Sequence, residues 1–391
     1  TAALEAAGVP TGMVGTAGLR VGGLDEPNPE HVTTPGAPDL QRALRAMRLA
    51  DDAAGVVETT SHGLALERVA GIAYDAAIVT NVTHEHLDFH GTFEAYRAAK
   101  LSLFERLATR RPSKAIAWPR LAIVNVDDPS ADLFEAVGRE AGARVVRYGT
   151  DERADVRATR VEEDARRLRV AFVAPSGERT LELRLAGRFN VHNALAVVAL
   201  GEGLGLAPDS IARGLEGVAR VPGRMERVDA GQPFGVIVDY AHSPAALEHV
   251  LDLLAPVAAA RGGGLIAVFG SAGERDRAKR PMMGRIAGER CRLVVVTDED
   301  PRGENRMAIL DEIAAGAEAV GRRRGRDLLV VPDRREAIGA AVERAHPGDL
   351  VVLAGKGHEQ TIITADGPVA WNEREAAFEA LAAAGYHRPA S

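Results

Sequence analysis

The chain has 391 residues, 46% of them hydrophobic, with 41 Gly and 20 Pro scattered without a repeat. That length asks for two or more domains and excludes a collagen-like or low-complexity chain. The formal net charge of −7 argues against general nucleic-acid binding, and the lone cysteine, Cys291, excludes an internal disulfide and fits a reducing cytoplasm. No apolar run reaches the roughly 18–20 residues that span a bilayer, and no basic-then-apolar leader is visible. The expectation is a cytoplasmic monomer acting without membrane or nucleic acid.

Residues 1–7 read as the last turns of a helix, with Gly8 as the stop and Pro10 just beyond. A helix tail without its beginning leads us to expect that the natural chain extends further toward the N-terminus. Short β-branched runs then alternate with longer helical stretches, the pattern of parallel α/β architecture. Strands are predicted at 55–58, 76–81 and 121–126, and a helix over 92–107. Segments 156–173 and 180–185 alternate polar and apolar residues and predict a small antiparallel patch. Residues 190–203 read as an Ala-rich helix ended by glycine.

Val221-Pro222-Gly223-Arg224 is a turn signal, and the domain boundary is placed there, giving domains 1–220 and 221–391. Beyond it, buried strands are predicted at 235–238, 265–269, 293–296, 328–331 and 350–353, a doubly wound, Rossmann-like series. Four of these strands run into polar loops: Asp239-Tyr240-Ala241-His242, Gly270-Ser271-Ala272-Gly273-Glu274-Arg275, Thr297-Asp298-Glu299-Asp300-Pro301-Arg302 and Ala354-Gly355-Lys356-Gly357-His358-Glu359. Ligands of open α/β sheets bind beyond the carboxyl ends of the strands, so four such loops mark one functional edge. Arg275, Arg277, Lys279 and Arg280 form the densest basic cluster. Their position after a Gly-rich strand end favours anion binding over a merely solvated helix start.

In the first half, residues 81–90 carry His84, His86 and His90 with Glu85 and Asp88. So many ligand-type side chains in one loop fit metal coordination or acid–base work, or equally a solvated loop with satisfied histidines. The spacing is not a zinc signature. Lys100 lies on the helical stripe of Phe93, Tyr96, Leu103, Phe104 and Leu107, where an ammonium must be paired, chemically altered or able to snorkel to the edge. Glu58 ends a strand beside Thr59-Thr60-Ser61, a plausible Mg²⁺ ligand.

Together these segments resemble the Mur ligase family over essentially the whole chain. The resemblance rests on Thr33-Thr34-Pro35, Glu58-Thr59-Thr60-Ser61-His62-Gly63, Thr83-His84-Glu85-His86-Leu87-Asp88, Tyr96-Arg97-Ala98-Ala99-Lys100 and Gly187-Arg188-Phe189-Asn190-Val191-His192-Asn193. It continues through Pro222-Gly223-Arg224-Met225-Glu226, Asp239-Tyr240-Ala241-His242, Gly273-Glu274-Arg275-Asp276-Arg277, Asp300-Pro301-Arg302 and Gly355-Lys356-Gly357-His358-Glu359. Each motif alone is modest; ten in this order are specific. The pair of Glu299-Asp300-Pro301-Arg302 and Gly355-Lys356-Gly357-His358-Glu359 points to the members that add the third amino acid of the cell-wall peptide.

The resemblance implies an α/β fold: a central P-loop-type ATPase domain with a mixed, mainly parallel sheet, then a Rossmann-like C-terminal domain. It implies ATP and Mg²⁺ as cofactors, and as substrates UDP-N-acetylmuramoyl dipeptide and a free diamino acid: diaminopimelate, lysine or ornithine. By matched position Glu58 and His86 would hold Mg²⁺, and Lys100, carbamylated, would help hold a second. Asn193, Arg224, Asp239 and His242 would contact nucleotide. Thr33, Thr34, Thr60 and Arg68 would hold the muramoyl dipeptide, and Arg275, Asp300, Arg302, Gly355 and Glu359 the incoming amino acid. Two departures stand out. The family's phosphate loop ending Gly-Lys-Thr or Gly-Lys-Ser is absent from these residues, so they are expected not to turn over ATP by themselves. Asp300 stands where diaminopimelate-adding members usually have Asn. A folate polyglutamate ligase, a metal-dependent hydrolase built on His84, His86 and His90, and a non-catalytic binding fragment remain competing readings.

Overall fold

The computed structural model describes residues 1–26, 33–82, 87–109, 116–163, 167–185 and 187–387. The fold is mixed α/β and divides into two compact units, Thr1–Ala219 and Arg220–Ser391.

The first unit opens with α1 (Ala2–Ala6) and a meander of β1 (Thr11–Gly15), β2 (Gly18–Val21) and β3 (Leu24–Glu26). Helix α2 (Ala37–Leu49) carries the chain back so that β4 (Ala54–Val57) pairs parallel to β1, in the order β3-β2-β1-β4; α3 (Ser61–Ala65) follows. A second sheet begins with β5 (Ala76–Val79). After it come α4 (Leu87–His90), α5 (Phe93–Glu105) with a 3₁₀ turn at Arg106–Ala108, β6 (Leu121–Asn125), α6 (Ala131–Glu140) and β7 (Arg144–Gly149). Three longer strands, β8 (Val156–Glu163), β9 (Leu168–Ala174) and β10 (Gly177–Leu183), complete the order β10-β9-β8-β7-β6-β5, and α7 (Phe189–Leu204) and α8 (Pro208–Gly217) close the unit.

The sequence makes this sheet by burying β6 on both faces. Leu121 and Ile123 pack into the cluster that includes Val191, Leu195 and Val198 of α7, while Ala122 and Val124 pack with Phe104 of α5 and Phe134 of α6. A continuous apolar run is what a parallel strand covered on both sides requires. β8, β9 and β10 pair antiparallel, the expected patch, and the alternating burial of β9 reflects its one covered face. Thr92 accepts the amide of Ala95 and caps α5, and Gly205 ends α7 in the left-handed region.

The second unit comprises β11 (Glu226–Val228), β12 (Gly235–Asp239), α9 (Pro244–Ala260), β13 (Leu265–Phe269), α10 (Lys279–Arg290) and β14 (Leu293–Val296). It continues with α11 (Arg306–Glu318), β15 (Leu328–Val330), α12 (Arg334–Glu343), β16 (Leu350–Ala354), a hairpin of β17 (Thr361–Thr364) and β18 (Gly367–Ala370), and α13 (Glu373–Ala383). Its sheet order is β11-β12-β16-β13-β14-β15, parallel except for the edge strand β11. All five parallel strands match predicted segments. β11 and the β17–β18 hairpin lack a long apolar run and escape that reading. Among the described residues, no helix is long and apolar enough to cross a membrane.

Candidate functional site

The first unit gathers a polar cluster where β4 ends. Glu58 is exposed and its Oε2 accepts the amide of Thr16 at 2.6 Å, so the β1–β2 turn orients the carboxylate. Thr34, 1% exposed, donates from Oγ1 to the carbonyl of Glu58 at 2.9 Å and accepts the amide of Thr60 at 3.0 Å. Arg68 reaches the carbonyl of Thr34 at 3.0 Å, Thr33 and Thr16 share a hydroxyl contact of 2.8 Å, and Thr60 caps α3 through the amide of Gly63. Thr33, Thr34, Glu58, Thr60 and Arg68, picked from the sequence, are therefore one cluster. The hydroxyls of Thr34 and Thr60 are already engaged in holding its backbone.

The end of β5 is fixed from several directions. Tyr148 donates to the carbonyl of Val79 at 2.8 Å, Asn125 to that of Thr80 at 2.7 Å, and Asp128 accepts the amide of Val82 at 2.6 Å. Lys100 Nζ approaches the carbonyl of Asn81 at 3.4 Å and lies 5.2 Å from the Tyr96 ring centre. Tyr96, Phe104 and Leu107 of the stripe are buried, but Lys100 is only half-buried, because its long stem carries the ammonium to the edge of the stripe. Thr83, His84, Glu85 and His86 lie outside the described residues, so His86 receives no placement. Among the described residues no group of three or more His, Cys, Asp or Glu is arranged to hold a metal ion. Asn193 is exposed in the first turns of α7, with its Nδ2 on Asn190 Oδ1 at 3.1 Å, and the neighbouring His192 pairs with Asp127 at 2.7 Å.

In the second unit the strand-end loops form a denser site. Lys356, fully buried, donates to Asp300 Oδ1 at 2.8 Å and pairs with Glu359 Oε2 at 2.5 Å. Asp300 Oδ1 also accepts the amide of Ile363, and Arg302 donates its amide to the carbonyl of Ile363, both at 2.9 Å, so the β17–β18 hairpin braces this loop. Arg302 itself has φ 53, a left-handed backbone that is costly for a side chain with a Cβ. Its Nε and the Oε2 of buried Glu299 are both enclosed and lack a hydrogen-bond partner among the described residues. Gly355, at φ 101, permits the close approach there: a Cβ on it would sit 3.3 Å from Glu299 Oε2.

Tyr240 donates to Glu359 Oε1 at 3.2 Å; burial first, then the Glu359 and Glu299 carboxylates, push its phenol well above the ordinary range. Asp239 is raised by burial against the opposing pull of the Met225 and Ala241 amides it accepts at 2.8 and 2.9 Å. Arg224 stacks 5.2 Å from the Tyr240 ring centre, and His242 Nδ1 meets the carbonyl of Tyr240 at 2.9 Å.

The basic cluster read from the sequence as an anion site is corrected here. Arg280 is buried against Glu304 and Glu312, Arg277 pairs with Glu312, and Lys279 donates to the carbonyl of His242. Arg275 alone of the four is exposed without such a partner among the described residues. Glu299 was passed over in the sequence. Its burial beside Gly355 is a tertiary feature that the local sequence does not mark.

The Mur ligase middle-domain model matches residues 1–201, and the Mur ligase glutamate-ligase-domain model matches residues 223–357. The chain belongs to the Mur ligase family. It is 48% identical to the UDP-N-acetylmuramyl-tripeptide synthetase of Roseiflexus sp. (strain RS-1), over 98% of this chain and 75% of that protein. It is 41% identical to the UDP-N-acetylmuramoyl-L-alanyl-D-glutamate–2,6-diaminopimelate ligase of Geobacter metallireducens, over 98% and 76%. A solved structure of a ligase of the latter name matches with a TM-score of 0.63 at 29% identity, over 98% of this chain and 76% of that one. This Mur ligase is accordingly an ATP-dependent amino-acid ligase.

Proposed function

We propose that this Mur ligase joins a diamino acid to the D-glutamate carboxylate of UDP-N-acetylmuramoyl-L-alanyl-D-glutamate, with diaminopimelate the first candidate. The observation that carries the reading is the loop 299–302. It encloses one carboxylate oxygen, Glu299 Oε2, and one guanidinium N–H, Arg302 Nε, both without a partner among the described residues. Leaving such groups unpaired costs about 1–3 kcal/mol each, so a ligand bearing an ammonium and a carboxylate is the natural complement. Diaminopimelate, lysine and ornithine each offer both beyond the reacting amine; diaminopimelate is put first because relatives of this chain are named for it. The names of the relatives support the same reaction.

A carboxylate resists amines because it has no leaving group. Transfer of the ATP γ-phosphoryl group to the D-glutamate carboxylate gives an acyl phosphate and ADP. The free amine then attacks the acyl carbon, the C–O bond to phosphate breaks, and inorganic phosphate and a proton leave with the amide formed. Residues 1–220 are assigned the ATP and muramoyl-dipeptide part of this work. Thr33, Thr34, Thr60 and Arg68 face the dipeptide and Asn193 the nucleotide. Residues 221–391 are assigned the amino-acid part, through Arg275, Glu299, Asp300, Arg302, Gly355 and Glu359, with Arg224, Asp239 and His242 toward nucleotide.

Mg²⁺ would neutralise phosphate charge in this chemistry. Glu58 would provide the oxygen ligand a hard cation takes, and the resemblance assigns His86 as a further ligand. Lys100 as an ammonium provides no ligand and fits only as a carbamate, formed from the neutral amine and CO₂ with release of a proton.

The test is a substrate panel on the protein expressed from its complete reading frame, with ATP, Mg²⁺ and the muramoyl dipeptide, reading phosphate release and product mass. Diaminopimelate-dependent turnover is expected. Preference for a neutral amino acid sinks the pocket assignment, and preference for glutamate on a folate acceptor establishes the folate-ligase reading instead.

A further inference from the structure

Arg334 is the first residue of α12, and its side chain is fully enclosed, as is that of Glu373, the first residue of α13. The guanidinium faces Glu373 through Nε at 2.9 Å and NH2 at 2.6 Å. Its remaining donors point the other way. NH1 donates to the carbonyl of Asp298 at 2.9 Å, and NH2 to the carbonyl of Ala354 at 2.8 Å.

Those two carbonyls stand where the polypeptide leaves β14 and β16, strands that flank β13 in the sheet. They tether loop 297–302, whose Thr297 and Asp298 amides are also held by the carbonyls of Phe269 and Pro332, to loop 354–360; together the loops carry Glu299, Asp300, Arg302, Gly355, Lys356 and Glu359. Glu373 extends the same restraint. Its Oε2 accepts Trp371 Nε1 at 2.7 Å, and the Trp371 amide donates to the carbonyl of Gln360, the far end of the second loop, at 2.8 Å.

A buried ion pair is a poor way to gain stability, since desolvating both charges consumes most of the attraction, and a cation at a helix N-terminus meets the wrong end of the dipole. What a planar guanidinium does that an apolar side chain cannot is hold two carbonyls and a carboxylate in one fixed geometry. We propose that Arg334, oriented by Glu373, is a positioning residue that sets the register between the two amino-acid-pocket loops, and so governs affinity for the incoming amino acid without touching it. This rests on the reading of loops 297–302 and 354–360 as that pocket.

Three variants test it: Arg334→Lys, Arg334→Met, and the double Arg334→Met with Glu373→Gln. The lysine variant keeps a cation for Glu373 but has no fork to span both carbonyls, so it separates fastening from charge pairing. The double variant removes both charges and keeps an acceptor for Trp371. Both are expected to remain folded, with amide exchange in 297–302 and 354–360 rising about tenfold or more while the core strands stay protected. The KM for the amino acid is expected to rise about tenfold or more, with the KM for ATP within about twofold of the parent and kcat nearly kept. Parental exchange and KM in the lysine variant overturn the proposal, as does a rise in all KM values together. Exchange is read without substrate, so it decides the fastening even for a protein that ligates no diamino acid, in which case the failure is that of the ligase reading.

Discussion

Lys356 and Asp300 form a buried ion pair, Nζ to Oδ1 at 2.8 Å, although 56 residues separate them. The anion that stands at position 300 in place of an amide is thus matched by an internal cation. It is Glu299, not Asp300, that presents an enclosed carboxylate oxygen without a partner among the described residues.

Removing the cation should be far worse than removing the anion. Lys356→Met leaves the Asp300 and Glu359 carboxylates together in a site where their side chains are only 10% and 16% exposed. A loss of about 3–5 kcal/mol is expected, against about 1–2 kcal/mol for Asp300→Asn, which keeps a hydrogen-bond acceptor for Lys356 and Ile363. Urea unfolding of the two variants checks the order; equal losses would show that Lys356 is not the hub.

Acid should weaken the second unit through Glu304. The Arg280 guanidinium first, then the Glu274 amide, hold its carboxyl down to about 2 from an ordinary 4.5. A pKa depressed by folding contributes stability that is present above the unfolded value and lost as pH falls toward the folded one. Stability should therefore drop between about pH 5 and pH 2. Glu304→Gln should flatten that part of the profile while leaving a smaller, pH-independent loss. An unchanged acid limb by thermal melts across this window refutes the assignment.

Lys100→Ala should leave the fold intact, because the side chain is only half-buried and its approach to the Asn81 carbonyl is a long 3.4 Å. Ligase activity should fall by about 100-fold or more, equivalent to about 2.7 kcal/mol of barrier, if a carbamate on Lys100 helps hold Mg²⁺. Added formate or acetate should restore part of it by supplying the missing anion. Near-parental turnover in the variant, or an unmodified amine by mass under working conditions, defeats the idea.

Gly223→Ala tests the turn that opens the second unit. A Cβ there would lie 2.3 Å from the His358 amide nitrogen and 2.5 Å from the Gly357 carbonyl carbon, with φ at +65. Overlap with backbone costs roughly 1–3 kcal/mol and the left-handed conformation about 1–2 more, so a loss of several kcal/mol is expected by chemical denaturation. A neutral substitution would mean that the turn and the 357–358 segment part easily.

The sequence alone carried the α/β architecture. Parallel strands buried on both faces must be short continuous apolar runs, as 265–269 and 293–296 are, and that signal is local. It carried the strand-end loops too, because Gly and charged residues punctuate those runs. It also carried the family, because many short motifs in one order are specific even when each is not. What tertiary structure decided is how those side chains are paired. Arg275, Arg277, Lys279 and Arg280 look alike in sequence, yet Arg280 is buried between Glu304 and Glu312, residues 24 and 32 positions away, while Arg275 is left exposed. Arg334 and Glu373 carry no mark in the sequence, and only the fold brings them together behind loops 297–302 and 354–360. The reason is that hydrogen-bond satisfaction is settled by neighbours in space: which charges are consumed and which remain for a ligand depends on contacts across dozens of residues, and no local pattern encodes them.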